Sequence, residues 1–254
     1  MDGLHNEPVL FDLADRARPP GGALPRVDAV DWHKVVADLD ERGVALTPPL
    51  LSPAECAEVV GLFDRDEVFR STVTMARHAF GEGTYRYFAD PLVPLVGALR
   101  TALYPPLAWL ASTWAERLGE RTFPGTLPEL VEECAEAGQT RPTPLLLRYG
   151  PGGYNCLHQD VYGDLVFPLQ VAIMLNTPDR DFTGGESVFV ENRPRQQSRA
   201  VVVRPGLGQG VVFPVRHRPT RGARGYRKVA LRHGVSVVES GQRHVLGIIF
   251  HNSR

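Results

Sequence analysis

Arg148-Tyr149-Gly150-Pro151-Gly152-Gly153-Tyr154-Asn155-Cys156 leads into Leu157-His158-Gln159-Asp160, and the reading of those last four residues decides the rest of the chain. In an extended strand, residues i and i+2 project from one face. The His158 imidazole and the Asp160 carboxylate can therefore meet a single metal ion while Gln159 points away. An H-x-D triplet is common by chance, and standing alone it reads better as a surface pair. It gains meaning when a second histidine arrives from another strand. His233, in Leu231-Arg232-His233-Gly234-Val235, is the best candidate, 75 residues downstream. Its neighbour Gly234 suits a close approach of two backbones.

Two histidines and one carboxylate on one face of an ion suit non-haem Fe(II), because positions stay open for a cosubstrate and for oxygen. Ten residues past His233 lies Arg243, at the start of the last apolar run. A 2-oxoglutarate molecule chelating the metal at one end leaves its second carboxylate deeper in a barrel. Arginine meets a carboxylate there in a bidentate, charge-assisted pair that lysine matches less well. An inward Arg243 without such a partner is a costly unpaired charge.

The surrounding texture fits a barrel. After Arg141, short β-rich runs (143–149, 165–175, 186–191, 200–204, 210–215, 226–238 and 243–251) are punctuated by Gly, Pro and Asn, the pattern of a sandwich or jelly roll. Before Arg141 the apolar period is helical. Val30, Trp32, Val35, Val36 and Leu39 form a stripe that stops at Gly43, and Ser52-Pro53-Ala54-Glu55 and Thr126-Leu127-Pro128-Glu129 are capping boxes. Two further helices, 92–103 and 107–118, are expected on either side of Pro105-Pro106. Helices first and strands later argue for a helix-buttressed β-core rather than alternating βαβ units. The expected fold is thus mainly β with N-terminal helices, a double-stranded β-helix (jelly-roll) barrel. Residues 1–30 are an extended arm, 31–140 a helical support and 141–254 the core, with 31–254 forming one structural domain.

Bulk properties narrow the class. The 254 residues are 43% hydrophobic and 22% charged, ordinary for a soluble globular protein. There is no apolar run of eighteen residues to span a membrane. Met1 to Pro20 lacks the apolar region of a secretory signal. Cys56, Cys134 and Cys156 are an odd, scattered set, so a disulfide framework or structural zinc site is not expected and a reducing cytoplasm is the simplest home. Charge is uneven: 193–232 holds eleven Arg or Lys and no Asp or Glu, which leaves −12 on the other 214 residues of a chain whose net charge is −1. Such a segment marks a surface for an anionic partner such as nucleic acid; equally, it could be solvated strand faces in an arginine-rich chain.

The stretch from Arg148 to Asp160 resembles the metal-binding approach of 2-oxoglutarate/Fe(II) dioxygenases. It is most similar to the AlkB-type nucleic-acid demethylases, whose pattern is R-Y-x-P-G followed by L-H-Q-D. His233-Gly234-Val235 with Gly241 and Arg243 resembles the distal-histidine and cosubstrate-arginine strands of that superfamily, and Asp181-Phe182-Thr183-Gly184-Gly185-Glu186 resembles a G-G-E segment of prolyl-hydroxylase relatives. The whole chain resembles a bacterial family of nucleic-acid-modifying oxygenases. The resemblance implies Fe(II) on His158, Asp160 and His233, the distal carboxylate of 2-oxoglutarate on Arg243, and Tyr149 lining the cosubstrate pocket. It implies O2 as the oxidant and oxidative demethylation or hydroxylation of bases, as in DNA repair. Two departures, Leu147 in place of an asparagine and Ile249 in place of a second arginine, separate this pocket from the AlkB pattern. They keep open a hydroxylase of a protein side chain or small metabolite, and behind it a non-catalytic binding barrel.

Lesser candidates remain. Arg77, Tyr85 and Arg86, with His78 and Tyr87, form a polar-aromatic cluster that could recognise substrate by stacking and phosphate contacts or pack tyrosines on the barrel. Cys156 reads as a small buried hydrophobe, His244 as structural because it alternates with Arg243, and 216–225 as a loop near a barrel mouth. His217 and His251 could touch substrate but are poor ligand candidates.

Overall fold

Capping chemistry sets the helices that open the chain. The computed structural model describes residues 24–193, 196–222 and 225–254. Residues 1–23 of the expected arm, together with Arg195 and Arg224, lie outside the described residues. The end of the arm is not extended: α1 (Pro25–Asp28) is a short helix with proline in its first turn. In α2 (Trp32–Arg42) the Asp31 side chain accepts from the Lys34 backbone, Val35 and Leu39 are buried, and Gly43 closes the helix at φ +76°. After β1 (Ala45–Pro49), α3 (Pro53–Gly61) starts at the Ser52–Glu55 capping box. Then come β2 (Phe69–Thr74), a single 3-10 turn (Met75–His78), β3 (Gly81–Glu82) and β4 (Thr84–Phe88).

The expectation of a purely helical 31–140 is therefore corrected, since four strands lie within it. Their positions are half-buried on both sides or join a sheet edge, which hides the period-two signal. A second correction concerns Pro105 and Pro106, which lie inside one continuous helix, α4 (Pro94–Leu118). A proline in a helix interior costs about 3 kcal/mol. Burying Leu103, Tyr104, Leu107 and Leu110 around the prolines offsets that at about 1.5–3 kcal/mol per large side chain. The last helix, α5 (Leu127–Glu136), begins at the Thr126–Glu129 capping box, and Gly138 follows its end at φ +74°.

The remaining strands are β5 (Leu145–Tyr149), β6 (Tyr154–His158), β7 (Leu169–Met174), β8 (Phe182–Gly184), β9 (Ser187–Asn192), β10 (Arg199–Val203), β11 (Gln209–Pro214), β12 (His217–Gly222), β13 (Gly225–Val235), β14 (Val238–Gly241) and β15 (Arg243–Ile249). A seven-stranded sheet runs β1-β11-β7-β15-β5-β4-β2. A second sheet runs β10-β9-β13-β6-β3 with β12 beside β13, and β14 pairs with β8. Every named strand pair is antiparallel, as a jelly roll requires. The stretch 216–225, expected as a loop, instead contributes most of a hairpin in which β12 pairs with β13 from His217↔Ala230 to Gly222↔Gly225.

Alternation divides the large sheet between two tasks. Leu146, Leu169, Ile173, Leu246 and Ile248 face the helices and join Leu99, Leu103, Tyr104 and Trp114 in the main core. Leu147, Tyr149, Ala172, Phe213, Val245 and Arg243 face the second sheet and line a cavity between the two. β15 is buried along its whole length because it is covered on both faces.

Candidate metal and cosubstrate site

Strand register brings the first two ligand candidates together. β6 and β13 pair antiparallel with His158 directly opposite His233. Gly234 makes this possible, because a Cβ there would lie 2.6 Å from the Asn155 carbonyl oxygen. Asp160 lies two residues past the end of β6, on the side of His158. Its Oδ1 is 3.4 Å from His158 Nε2 and its Oδ2 is 3.1 Å from His233 Nε2. One nitrogen or oxygen from each residue lies within 4.8 Å of the others, an arrangement that can hold a metal ion. Gln159 does point away, and its amide donates to the carbonyls of Arg216 and Leu231.

The surroundings orient these groups. His158 Nδ1 is 2.8 Å from the Cys156 carbonyl oxygen, which turns Nε2 toward Asp160. The Tyr162 hydroxyl donates to Asp160 Oδ1 and the Gln170 amide to Oδ2, each at 2.9 Å. His233 lies against Phe213, ring centroids 4.7 Å apart. Burial pushes the Asp160 carboxyl up, but the two imidazoles outweigh it and hold the group well below the usual carboxylate range. Burial also holds His233 below its ordinary value, which favours the neutral, ligating form. At His158 burial acts in the same sense, but the hydrogen bond to Asp160 wins and the value rises.

Arg243 opens β15 opposite Tyr149 and lines the same cavity, whose volume is about 390 Å³. It is 2% exposed. Its Nη2 donates to Ser187 Oγ at 3.2 Å, while Nε and Nη1 are buried with no partner among the described residues. Burial lowers it to about 10, so it remains a cation at neutral pH. A buried cation with two unpaired nitrogens facing a cavity is a cradle for a carboxylate. The guanidinium stands 5.5 Å from the Tyr149 ring centroid. Tyr149 is fully buried and pushed up to about 12 by burial, and its hydroxyl accepts from Asn155 at 3.4 Å. Gly185 packs directly against Arg243: it has φ +63°, and a Cβ there would sit 2.9 Å from Arg243 Cδ. Fe(II) and 2-oxoglutarate fit these residues on two counts, the gathered His-Asp-His donors and the unpartnered guanidinium.

Other expected residues are divided. Tyr85 lines the cavity. Arg86 does not; it alternates with Tyr85 on β4, donates to the Phe63 carbonyl and Asp66 at 2.6 Å each, and covers the Phe69 ring at 4.4 Å. Arg77 is exposed in the 3-10 turn and away from the cavity, although Ala79 and Phe80 just after it contribute to the wall. Cys156 is corrected from buried to exposed, because β6 carries it at the cavity edge. His244 packs on Asn176 and Phe63, and His251 is buried with Nδ1 accepting from the Phe167 backbone. Gln170, Ser187 and Phe213 were not expected. Tyr162 could have been found, because it continues the 158, 160, 162 alternation.

Comparison with known proteins adds a family. A family model for Oxygenase-NA, described as an oxygenase catalysing oxidative methylation of damaged DNA, matches residues 83–253. An uncharacterised protein of Mycobacterium tuberculosis is 47% identical over 167 residues, which are 65% of this chain and 72% of that one. Among solved structures, a Burkholderia pseudomallei oxidoreductase of the 2OG-Fe(II) oxygenase family is similar at 17% identity and TM-score 0.54, covering 94% of this chain and 97% of that one. A Trichoplax adhaerens prolyl hydroxylase bound to a hypoxia-inducible-factor peptide fragment is similar at 16% identity and TM-score 0.52, covering 87% and 89%. At these identities the solved structures establish the fold.

Proposed function

Because this chain belongs to the Oxygenase-NA family and is a 2-oxoglutarate- and iron-dependent dioxygenase, we propose that its substrate is an N-methylated base in a nucleic acid. In this reading His158, Asp160 and His233 hold Fe(II), and Arg243 holds the distal carboxylate of 2-oxoglutarate beside Tyr149. The Arg243 guanidinium, buried with two unpaired nitrogens in the cavity that the His-Asp-His set also lines, carries the cosubstrate part of the reading, and the family model's damaged-DNA description supports the base.

When bound, iron and 2-oxoglutarate supply the oxidation: O2 is consumed, 2-oxoglutarate becomes succinate and CO2, and a substrate C–H becomes C–OH. A hydroxymethyl group on a base nitrogen leaves as formaldehyde, so oxygen insertion removes a methyl group and the direction we propose is demethylation. The residues of the chain position the reactants. Tyr162 and Gln170 fix the Asp160 carboxylate, as outer partners do at metal sites. Phe189, Phe213, Val171 and Val245 wall the cavity with apolar surface, which excludes water from the reacting C–H. A base must leave its stack to reach such a cavity.

A second reading, hydroxylation of a protein side chain or small metabolite, is favoured by Leu147 and Ile249, which replace two polar residues of the AlkB pattern. Leu147 lines the cavity and Ile249 is buried. The peptide-bound prolyl hydroxylase of similar fold points the same way. A reducing, cytoplasmic setting is part of the proposal and is supported by three free cysteines. No helix among the described residues is long and apolar enough to cross a membrane. We also take 31–254 as one structural domain, since β1 and β4 of the N-terminal part pair with β11 and β5 of the core.

The test is succinate release by the iron-loaded protein, with and without an N-methylated oligonucleotide, against His233→Ala as the blank. Oligonucleotide-stimulated succinate with matching formaldehyde, absent in the variant, is the expected result. His233-dependent turnover that the oligonucleotide leaves unchanged would exclude the base substrate and favour the second reading.

A further inference from the structure

Folding neutralises much of the basic run from Arg193 to Arg232. Arg193 and the buried Arg218 share Glu191, Arg204 pairs with Asp179 at 2.6 Å, and Arg199 donates to the Glu41 carbonyl at 3.2 Å. Lys228 pairs with Glu120, two residues past the end of α4. Arg216, Arg221, Arg227 and Arg232 make no ion pair and no side-chain hydrogen bond among the described residues.

Their placement follows strand alternation. Along β13, Val229 and Leu231 are buried and His233 turns to the metal site, while Tyr226, Lys228 and Arg232 are exposed on the other face. Register sets Arg221 opposite Tyr226 and Pro219 opposite Lys228; Pro219 is buried and Arg221 exposed, so β12 extends the exposed face at its Arg221 end. Arg216, just before β12, and Arg232 line a shallow groove with Leu157, His158, Gln159 and Val161. The groove thus opens onto an iron-ligand candidate, and its lip is apolar, with Leu157 43% and Val161 41% exposed. At the far end the exposed Tyr226 ring lies under Arg117 at 5.1 Å, in a cleft that Arg221 and Arg227 also line. Arg232 is six steps along β13 from Tyr226, a run of about 20 Å at ~3.3 Å per residue.

We propose that this outward face of the β12–β13 hairpin is the track for a single-stranded nucleic acid, with Arg216 and Arg232 contacting phosphates beside the base presented to the cavity and Tyr226 stacking a base further out. The proposal rests on the nucleic-acid reading above and names the surface that serves it. A basic path interrupted by an aromatic platform is the usual means of holding a single strand. At its Tyr226 end the face is one hairpin wide, two strands about 4.8 Å apart, which suits one backbone rather than two, and at Arg232 it runs into the sheet between β9 and β6. Lys228 adds to the path, because its ion pair is half-exposed on both sides and such pairs hold weakly.

Fluorescence anisotropy of a short fluorescein-labelled single strand, titrated with the full chain across about 50–200 mM salt, tests the track. R216A/R232A should weaken binding at least about tenfold and flatten the slope of log K against log salt by about 1.4, the loss of two single-strand phosphate contacts. R216K/R232K should restore most of the affinity, because a phosphate accepts a point charge. Y226A should weaken binding about tenfold with little change in slope. Melting temperatures of these surface variants report whether each is folded. Wild-type affinity and slope in folded R216A/R232A would overturn the track and leave the nucleic-acid substrate standing. Tighter binding of a duplex than of the single strand would overturn it too. A wild-type protein that binds no strand at any salt would remove the nucleic-acid reading, and the track with it.

Discussion

Arg100 on α4 and Arg243 on β15 are both buried arginines, and burial lowers each to about 10. Their surroundings differ in one respect. Arg100 donates to the carbonyls of Ile249 and Phe250 and to Asn252 Oδ1, so it ties the helical layer to the end of the large sheet. Among the described residues Arg243 donates to Ser187 alone and keeps two nitrogens unpaired at a cavity wall. A buried charge with no buried nitrogen left unpartnered is a structural clamp, whereas one with two left unpartnered beside a cavity has room for a ligand. The same contrast separates the helix-facing and cavity-facing sides of the β-barrel.

The largest expected effect breaks the comparison at Arg243. Arg243→Met should weaken 2-oxoglutarate binding at least about 100-fold, about 3 kcal/mol for a lost charge-assisted pair. It should leave the melting temperature unchanged or higher, because an unpaired buried charge has been removed. Arg100→Met should do the reverse. It takes a donor from two buried carbonyls and from the Asn252 amide oxygen, so urea unfolding should show a loss of about 3 kcal/mol, while 2-oxoglutarate affinity of the folded fraction stays within a few-fold of wild type.

A pH series sharpens the structural side. Burial holds His244 and His251 down at about 4, against about 6.5 in an unfolded chain. The unfolded state therefore binds more protons between these values. This stability is fully present above about pH 6.5 and is lost as pH falls toward 4. Urea midpoints should drop steeply from pH 7 to 4.5, by a few kcal/mol, and His251→Asn should flatten the fall. The smallest effect is at Gly185, which packs against Arg243. Gly185→Ala forces a side chain onto a left-handed residue and against Arg243 Cδ; it should cost about 1–2 kcal/mol in stability and weaken 2-oxoglutarate several-fold.

The sequence made the donor set legible because β-strand alternation is a local rule. His158 and Asp160 needed only the i, i+2 spacing, and Gly234 announced the close strand contact that sets His233 opposite His158. Arg100, Gln170 and Ser187 were invisible because their roles depend on sheet register, which no local pattern encodes. β1 and β4 were hidden in a stretch of helical texture, and β12 by its Gly, Pro and Arg content. The basic run was visible as charge, but its division into neutralised and unpaired arginines came only from the fold. Cys156 was misjudged because β6 lies at the cavity edge rather than in the core.

The most direct test is anaerobic calorimetry of 2-oxoglutarate binding to the Fe(II)-loaded wild type and to Arg243→Met, with melting curves of both. One equivalent bound by the wild type, at least about a hundredfold loss in the variant and an undiminished melting temperature would establish Arg243 as the cosubstrate anchor. Equal affinity in the two proteins would contradict it, and the unpaired guanidinium would then need another partner.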